Sequence, residues 1–251
     1  MYVVRRTILV QCTIRQVTAE SQIPLSKERV VDAAVALADE KGLDAVSMRK
    51  LAEQLGAGAM SLYHYFPNKD ALITGMVDVV FAEIELPPVE GDWKAAMRRR
   101  ALSTRAALTR HRWAVGLMES REMPGPESFR VHNTVLGYLR EAGFSIELTI
   151  QAYSLLDAYI YGFALQERTV PFEDAEGAAA VAEAQAREFE ARAQEQQLAG
   201  LAEEFPYLAE VVAGHVAQVG YDAGPAFEYG LDLILDGLEG LLDRTRSPRA
   251  D

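Results

Sequence analysis

Side chains that can bond to a partner cluster in one short segment near residue 60. A helix over residues 59–66 would leave four of them outward: Met60, Ser61, Tyr63 and His64. Its apolar side would consist of Ala59, Leu62 and Phe66. Hydroxyl and imidazole groups can bond phosphate oxygens or base edges, and a solvated face rarely carries Met, Tyr and His together. The segment therefore predicts a contact surface for a partner; the alternative is that the Tyr-His pair packs on a neighbouring domain.

Motifs that would indicate catalysis are incomplete. Residues 56–61 begin like a dinucleotide-binding fingerprint, but no strand precedes them and Ser61 replaces the last Gly. Ser47 and Lys50 match the Ser-x-x-Lys pattern of an enzyme class whose other signatures are missing. No HExxH, GxSxG or phosphate-binding loop occurs. We therefore expect no enzyme, no metal site and no cofactor, and the single Cys12 fits a reducing, cytoplasmic setting.

The charge is unevenly distributed along the 251 residues. Residues 1–75 hold nine Lys and Arg against eight Asp and Glu, whereas the remainder holds sixteen against twenty-nine. The near-neutral N-terminal part, here called the head, can still bind DNA if the acidic remainder, the body, is held away from the DNA. The most apolar stretch, 150–165, carries Gln151, Ser154 and Asp157 and is too short to cross a bilayer.

Helical periodicity dominates the chain and predicts an all-α fold. Ser26, Ser47 and Asn68 are the expected N-caps of the early helices, and the turn at 56–58 separates two short ones. The later helices are expected at 92–110, 112–118, 126–142, 145–168 and 225–246. Residues 173–204 are rich in Ala, Glu and Gln, which fits either a helix with little to bury or a flexible insert.

Broad apolar stripes mark the 145–168 helix and the last helix. They contain the candidate dimer residues Leu156, Tyr159, Phe163, Leu231, Ile234 and Leu238. Two such helices could fill the core of one chain, or they could pair with their copies in a four-helix dimer seam. Periodicity leaves both possibilities open.

The segment 25–73 resembles the DNA-binding domain of TetR-family transcriptional repressors over about fifty residues without a gap. It reads LSKERVVDAAVALADEKGLDAVSMRKLAEQLGAGAMSLYHYFPNKDALI, and its LYHYFPNK ending is highly specific. Later pieces, RAALTRHRW, YLREAGFS, residues 152–165 and FEYGLDLILDGLEGLL, resemble the C-terminal domain of the tetracycline-repressor branch. The resemblance implies a flexible leader (1–24), a three-helix helix-turn-helix domain (25–71) and a C-terminal helical ligand-binding and dimerisation domain (72–246).

This resemblance also implies the DNA contacts, which are Lys27, Ser47, Arg49, Met60, Ser61, Tyr63, His64 and Lys69. Ser47 also caps its helix, and Lys27 could be an ordinary solvated lysine. A minor-groove arm could be formed by Arg5, Arg6 and Arg15. Because Ala59 and Met60 lack the amide or guanidinium forks that read purines, we expect few base hydrogen bonds and a salt-sensitive affinity for double-stranded operator DNA.

For the effector, the resemblance implies a pocket in the C-terminal domain, comprising Arg100, Thr104, Trp113, Met118, Arg121, His132, Tyr153 and Asp157. Tetracycline binders of the family hold a magnesium–drug complex with histidines, whereas Glu85 and Met118 stand near the corresponding positions here. We therefore expect an apolar or amphipathic effector. Core packing is the alternative role for each of these side chains.

Together these features predict a homodimeric repressor that an effector releases from a palindromic operator. The effector would swing the 69–85 helix and so change the spacing of the two reading heads. The alternatives are an activator, a structural DNA-binding protein without a ligand, and a small enzyme with an incidental helix-turn-helix.

Overall fold

The computed structural model describes residues 24–88, 91–118, 120, 124–169, 204–211 and 223–246, and helices are the regular structure in these ranges. In chain order they are α1 Lys27–Lys41, α2 Met48–Leu55, α3 Ala59–Tyr65, α4 Lys69–Ala82, α5 Trp93–Arg110, α6 Pro126–Glu141, α7 Ile146–Thr169, α8 Pro206–Val211 and α9 Ala223–Arg246. The all-α prediction is confirmed. The leader through residue 23 and nearly all of segment 173–204 lie outside the described residues.

The early helices begin at the predicted caps. Ser26 Oγ accepts a hydrogen bond from the Arg29 amide of α1, and Ser47 Oγ accepts one from the Lys50 amide of α2. Asn68 Oδ1 accepts from Ala71 N at 2.7 Å and starts α4. Gly56 ends α2 at a φ of 64°, a left-handed conformation that glycine adopts without strain. These local bonds fix the lengths of α2 and α3 and the turn between them.

Helices α1, α2 and α3 share one core, in which Leu51, Leu62 and Phe66 are buried. The prediction for the inward side of α3 is wrong at Ala59, which is exposed because it lies in the first turn, beyond the edge of that core. Helix α3 ends at Tyr65, one residue earlier than predicted, and the Tyr65 hydroxyl donates to Leu25 O at 2.7 Å. Leu62 therefore anchors the helix while its neighbours face outward.

Helix α4 joins this head to the rest of the chain. It packs against α1 on one side and α6 on the other. The predicted domain boundary between residues 71 and 72 falls inside α4, so one rigid element belongs to both parts. The helix ends at Ala82, three residues short of the predicted 69–85 segment.

In the body, α5 packs against α6, α7 and α9. The predicted 112–118 helix is wrong: a short 3-10 helix, Arg112–Ala114, is followed by turns, and the amides of Ala114 and Leu117 bond back three residues instead of the four of an α-helix. Among the described residues, no helix is long and apolar enough to span a membrane.

Helix α9 is held on α5 and α7 by ion pairs and by a close approach. Lys94 pairs with Asp236 and Glu239, and Arg98 pairs with Glu228 and Asp232. A side chain at Gly230 would stand 2.4 Å from the Tyr159 hydroxyl oxygen, so any larger residue would displace the Tyr159 ring that packs on α9. The acidic side of α9 is therefore partly an interface with α5.

Candidate nucleic-acid interface and effector site

The outward surface of α3 consists of the four predicted side chains. Met60 is 81% exposed and Tyr63 is 44% exposed, while Ser61 and His64 are also exposed. Among the described residues of the head, Met60 and Tyr63 are the only large hydrophobic side chains that are exposed. This surface is open to a partner, and the body does not cover the Tyr63–His64 pair.

Two predicted contacts at the start of α2 already have intramolecular partners. Ser47 Oγ accepts the capping bond from the Lys50 amide at 3.3 Å, which leaves its hydroxyl proton available to donate. Arg49 Nε lies 3.1 Å from Glu53 Oε1, and both side chains are largely exposed. An exposed pair of this kind is worth little and exchanges readily, so Arg49 can turn to an anion.

Two lysines flank the α3 surface. Lys69 is the exposed first residue of α4, where the amide groups and the helix dipole favour an anion. Lys27 is exposed, and its Nζ lies 5.5 Å from the centre of the Phe66 ring, a cation–π distance. The predicted arm residues Arg5, Arg6 and Arg15 lie outside the described residues.

A buried polar group occupies the middle of the body. Arg100, on α5, is 1% exposed and its Nη1 lies 2.6 Å from Asp157 Oδ1 on α7, which is 5% exposed. Among the described residues, Arg100 Nε, Asp157 Oδ2 and the buried Thr149 Oγ1 lack hydrogen-bond partners. Burial by itself would lower the pKa of Arg100, but the negative charge of Asp157 outweighs burial and raises the pKa of Arg100. A buried polar atom costs free energy unless something bonds to it, which makes this pair a candidate effector site.

Further predicted residues surround this pair. Thr104 is buried one turn beyond Arg100, and its hydroxyl donates to Arg100 O at 2.9 Å. His132, on α6, lies between the rings of Phe81 on α4 and Tyr153 on α7, with ring centres 5.6 and 5.8 Å away. The structure therefore brings Arg100, Thr104, His132, Tyr153 and Asp157 into one connected region.

Trp113 and Met118 are not brought together with that group by any described contact. Trp113 lies beyond the end of α5, roughly 15 Å of helix from residue 100, and its Nε1 donates to Asp39 Oδ1 on α1 at 2.7 Å. Met118 is buried in the turns after the 3-10 helix. Arg121 lies outside the described residues.

A junction between head and body surrounds His111, which follows the last residue of α5. Its Nδ1 lies 2.8 Å from Asp39 Oδ1 on α1, and its Nε2 lies 3.0 Å from Glu83 Oε1 at the end of α4. Arg110 also bonds Glu83, and despite partial burial the bonds from Arg110 and His111 lower the pKa of that carboxyl. The sequence around His111 could not predict these contacts, because Glu83 lies 28 residues and Asp39 lies 72 residues away from it.

The prediction of dimer residues is wrong for Leu156, Leu231 and Leu238. All three are at most 3% exposed within a single chain, because they form the seam between α5, α7 and α9. Tyr159, Phe163 and Ile234 are half-buried against the same core, and the Tyr159 hydroxyl donates to Phe227 O. The large hydrophobic side chains of α7 and α9 that are exposed, by 40% to 70%, are Ile146, Ile150, Leu155, Leu165, Tyr229, Leu233 and Leu241.

Comparison with known families covers both parts of the chain. Residues 30–76 match the family described as bacterial regulatory proteins, tetR family, and residues 87–242 match the tetracyclin repressor-like C-terminal domain. The HTH-type transcriptional repressor DrrR1 of Streptomyces coeruleorubidus is 35% identical over 236 residues, covering 90% of this chain and 82% of that protein. The tetracycline repressor protein class D of Escherichia coli is 32% identical over 155 residues, covering 60% and 71%.

Solved structures agree with this assignment. ActR from Streptomyces coelicolor, in complex with actinorhodin, superposes with a TM-score of 0.69 at 28% identity, covering 88% of this chain and 99% of that one. Its apo form gives a TM-score of 0.65 at 28% identity, covering 86% and 97%. From the match of both domains, the exposed surface on α3 and the buried polar group in the body, it follows that this chain belongs to the TetR family of DNA-binding transcriptional regulators and is not an enzyme.

Proposed function

We propose that this regulator is a homodimeric repressor that reads a palindromic operator with α3 and releases it when an effector binds in the body. The observation that carries the proposal is that α4 joins an exposed recognition surface to a body with unsatisfied polar atoms in its core. The names of two relatives, DrrR1 and the class D protein, describe repressors, which favours repression over activation.

On DNA, α3 would lie in the major groove with Met60, Ser61 and His64 toward the base edges. Tyr63 and Lys69 would bond phosphates on either side, and Ser47 and Arg49 would approach the backbone from α2. Lys27 is a further candidate for the backbone. Most of these contacts are to phosphates, so the affinity should fall steeply with salt.

Dimerisation would use the exposed sides of α7 and α9. Leu155 and Leu165 on α7, and Leu233 and Leu241 on α9, lie on helices that already pack side by side in one chain. Gly162 and Gly237 have nothing within 4 Å of an added Cβ, which leaves room for a second chain to approach closely. Two such helix pairs would form a four-helix seam and set the two α3 helices about 34–36 Å apart.

The effector would bind beside the Arg100–Asp157 pair. A guanidinium and a carboxylate with free hydrogen-bonding positions, next to the rings of His132 and Tyr153, suit a planar aromatic molecule with hydroxyl or carbonyl oxygens. ActR binds actinorhodin in its solved complex. Glu85 and Met118 do not supply the histidines that hold a magnesium–tetracycline complex in the family, so a metal-free effector is expected.

The signal would reach the head through α4. His132 contacts Phe81 of α4, and Asp78 of α4 accepts a bond from the Ser128 amide of α6 at 3.0 Å. An effector that displaced α6 would therefore move α4 and with it α3. It can shift the equilibrium only by its differential affinity for the DNA-binding and released shapes.

The test is fluorescence anisotropy with the intergenic DNA beside the protein's own gene and with a selected palindrome, with planar aromatic polyketides added in turn. We expect tight, salt-sensitive binding that one compound abolishes, and a Tyr63→Phe variant that loses at least several-fold in affinity at unchanged stability. Binding to all fragments equally, unmoved by any compound, would favour a structural DNA-binding protein. Tighter binding with the compound present would overturn release.

A further inference from the structure

Met60 stands out among the apolar side chains of the head. The buried side chains there lie between α1, α2, α3 and α4, whereas Met60 is 81% exposed. No described contact within the chain holds it, and a thioether gains nothing from facing water. Its exposure on the α3 surface leaves it available to a partner outside the chain.

Met60 has the longest side chain in the first turn of α3, because its preceding neighbours are small. Gly58 has no side chain and Ala59 has only a methyl group, so neither competes for space. Leu62 points into the core, which directs the opposite side of the helix, with Met60, toward the major groove. In helix-turn-helix proteins, residues of this turn contact base edges.

The chemistry of Met60 selects one feature of the groove. Its side chain donates no hydrogen bond, and its sulfur is only a weak acceptor. The single apolar group that B-DNA presents in the major groove is the C5-methyl of thymine. Against a cytosine amino group, Met60 would leave a polar donor without water, which disfavours that base.

We infer that Met60 reads thymine in the operator by packing its thioether side chain on the C5-methyl group. The inference rests on the proposed DNA-binding role of α3 and adds a base preference to it. Removing one methyl from such a contact should weaken binding about fourfold for each half-site. A dimer that makes the contact twice should lose roughly 15-fold when both half-sites are altered.

The test begins with duplexes that the full-length protein selects from a random library. Each thymine is then replaced by uracil, which removes only the methyl group, and Kd is measured by anisotropy at fixed salt. We expect one thymine in each half-site whose replacement weakens the wild-type protein about fourfold. Met60→Ala should bind the thymine and uracil duplexes equally at that position, whereas Met60→Leu should still distinguish them.

Matched variants separate Met60 from its neighbours. Ser61→Ala and Tyr63→Phe should keep the wild-type sensitivity at that thymine, even if their overall affinity falls. If the same thymine remains methyl-sensitive in Met60→Ala, or if no thymine is methyl-sensitive in a tightly bound duplex, the inference is overturned and the proposed function stands. If no duplex is selected at all, the proposed DNA-binding role of α3 fails, and the inference fails with it.

Discussion

At the scale of single residues, the buried Arg100–Asp157 pair is an expensive feature of the body. Both charges are removed from water, and the desolvation cost of such a pair commonly exceeds its Coulombic gain. Each partner also leaves one polar atom unsatisfied among the described residues. Apolar side chains in the same space often cost less, so the pair is consistent with the effector contact proposed above.

This view predicts different outcomes for single and double substitutions. Arg100→Met leaves the Asp157 carboxylate buried and alone, and should lower the free energy of unfolding by about 3–5 kcal/mol. The double variant Arg100→Met, Asp157→Leu should regain most of that loss while no longer responding to the effector. Urea unfolding measures the first part and effector titration of the DNA complex the second. A double variant as unstable as the single one would contradict it.

At the scale of helices, α4 and α6 are joined where Asp78 caps the start of α6. Asp78 Oδ1 accepts from the Ser128 amide, and a Cβ at Gly125 would lie 2.3 Å from the Asp78 carboxyl, so only glycine fits beside it. Burial raises the pKa of Asp78, although bonds from the amides of Ser128 and Glu127 oppose this change. The cap is therefore tight and pH-sensitive.

The pH dependence of the cap has a definite sign. Because the folded pKa is raised, Asp78 contributes stability that is fully present below its unfolded pKa of about 3.8 and is lost as the pH rises through the folded pKa. Asp78→Asn keeps an acceptor oxygen but cannot ionise. Its unfolding free energy relative to wild type should therefore be higher at neutral pH than near pH 4. Urea unfolding at both pH values, with exposed Asp44→Asn as control, checks this; an equal difference at both would contradict it.

At the scale of the whole molecule, head and body meet at the His111 junction. The ring nitrogens of His111 lie 2.8 Å from Asp39 Oδ1 of α1 and 3.0 Å from Glu83 Oε1 at the end of α4, and Trp113 adds a bond to Asp39. These bonds tie the first helix of the head to the residues that follow α5. They should make the two parts unfold together.

Removal of this junction should separate the unfolding transitions of the head and the body. His111→Ala deletes both bonds and leaves two carboxylates near each other, so the head should unfold at lower urea than the body. Tryptophan fluorescence and circular dichroism, which coincide for a two-state protein, should then give different midpoints. His64→Ala, on the exposed surface of α3, should leave them coincident. Coincident midpoints in His111→Ala would show that packing alone couples the parts.

The dimer proposal is tested at the same scale. A two-fold axis brings equivalent patches together, so Leu233→Asp would place two carboxylates in one apolar seam. We expect the dimer dissociation constant to rise at least ~100-fold, equivalent to the cost of burying unpaired charge. Sedimentation measures it. Leu208→Asp, which is equally exposed but on α8, is the control; a dimer unaffected by Leu233→Asp would place the seam elsewhere.

Local chemistry determined the helices and the recognition motif. Ser26, Ser47 and Asn68 bond amides three residues ahead, and the apolar period of 3.6 residues orients Leu51 and Leu62 inward, so the neighbouring sequence suffices to predict them. The same reasoning left Met60, Tyr63 and His64 outward, as the structure has them. Arg100 and Asp157, in contrast, were candidates only through the family resemblance.

Tertiary packing decided which side of a helix faces the core where the local sequence allowed more than one side. Helices α7 and α9 carry apolar residues on more than one side, so periodicity could not tell that Leu156 and Leu231 face the core while Leu155 and Leu233 face outward. The bond from Trp113 to Asp39 joins residues 74 apart. Such contacts depend on how whole helices dock, which is set by the summed burial of many side chains rather than by any neighbouring residue.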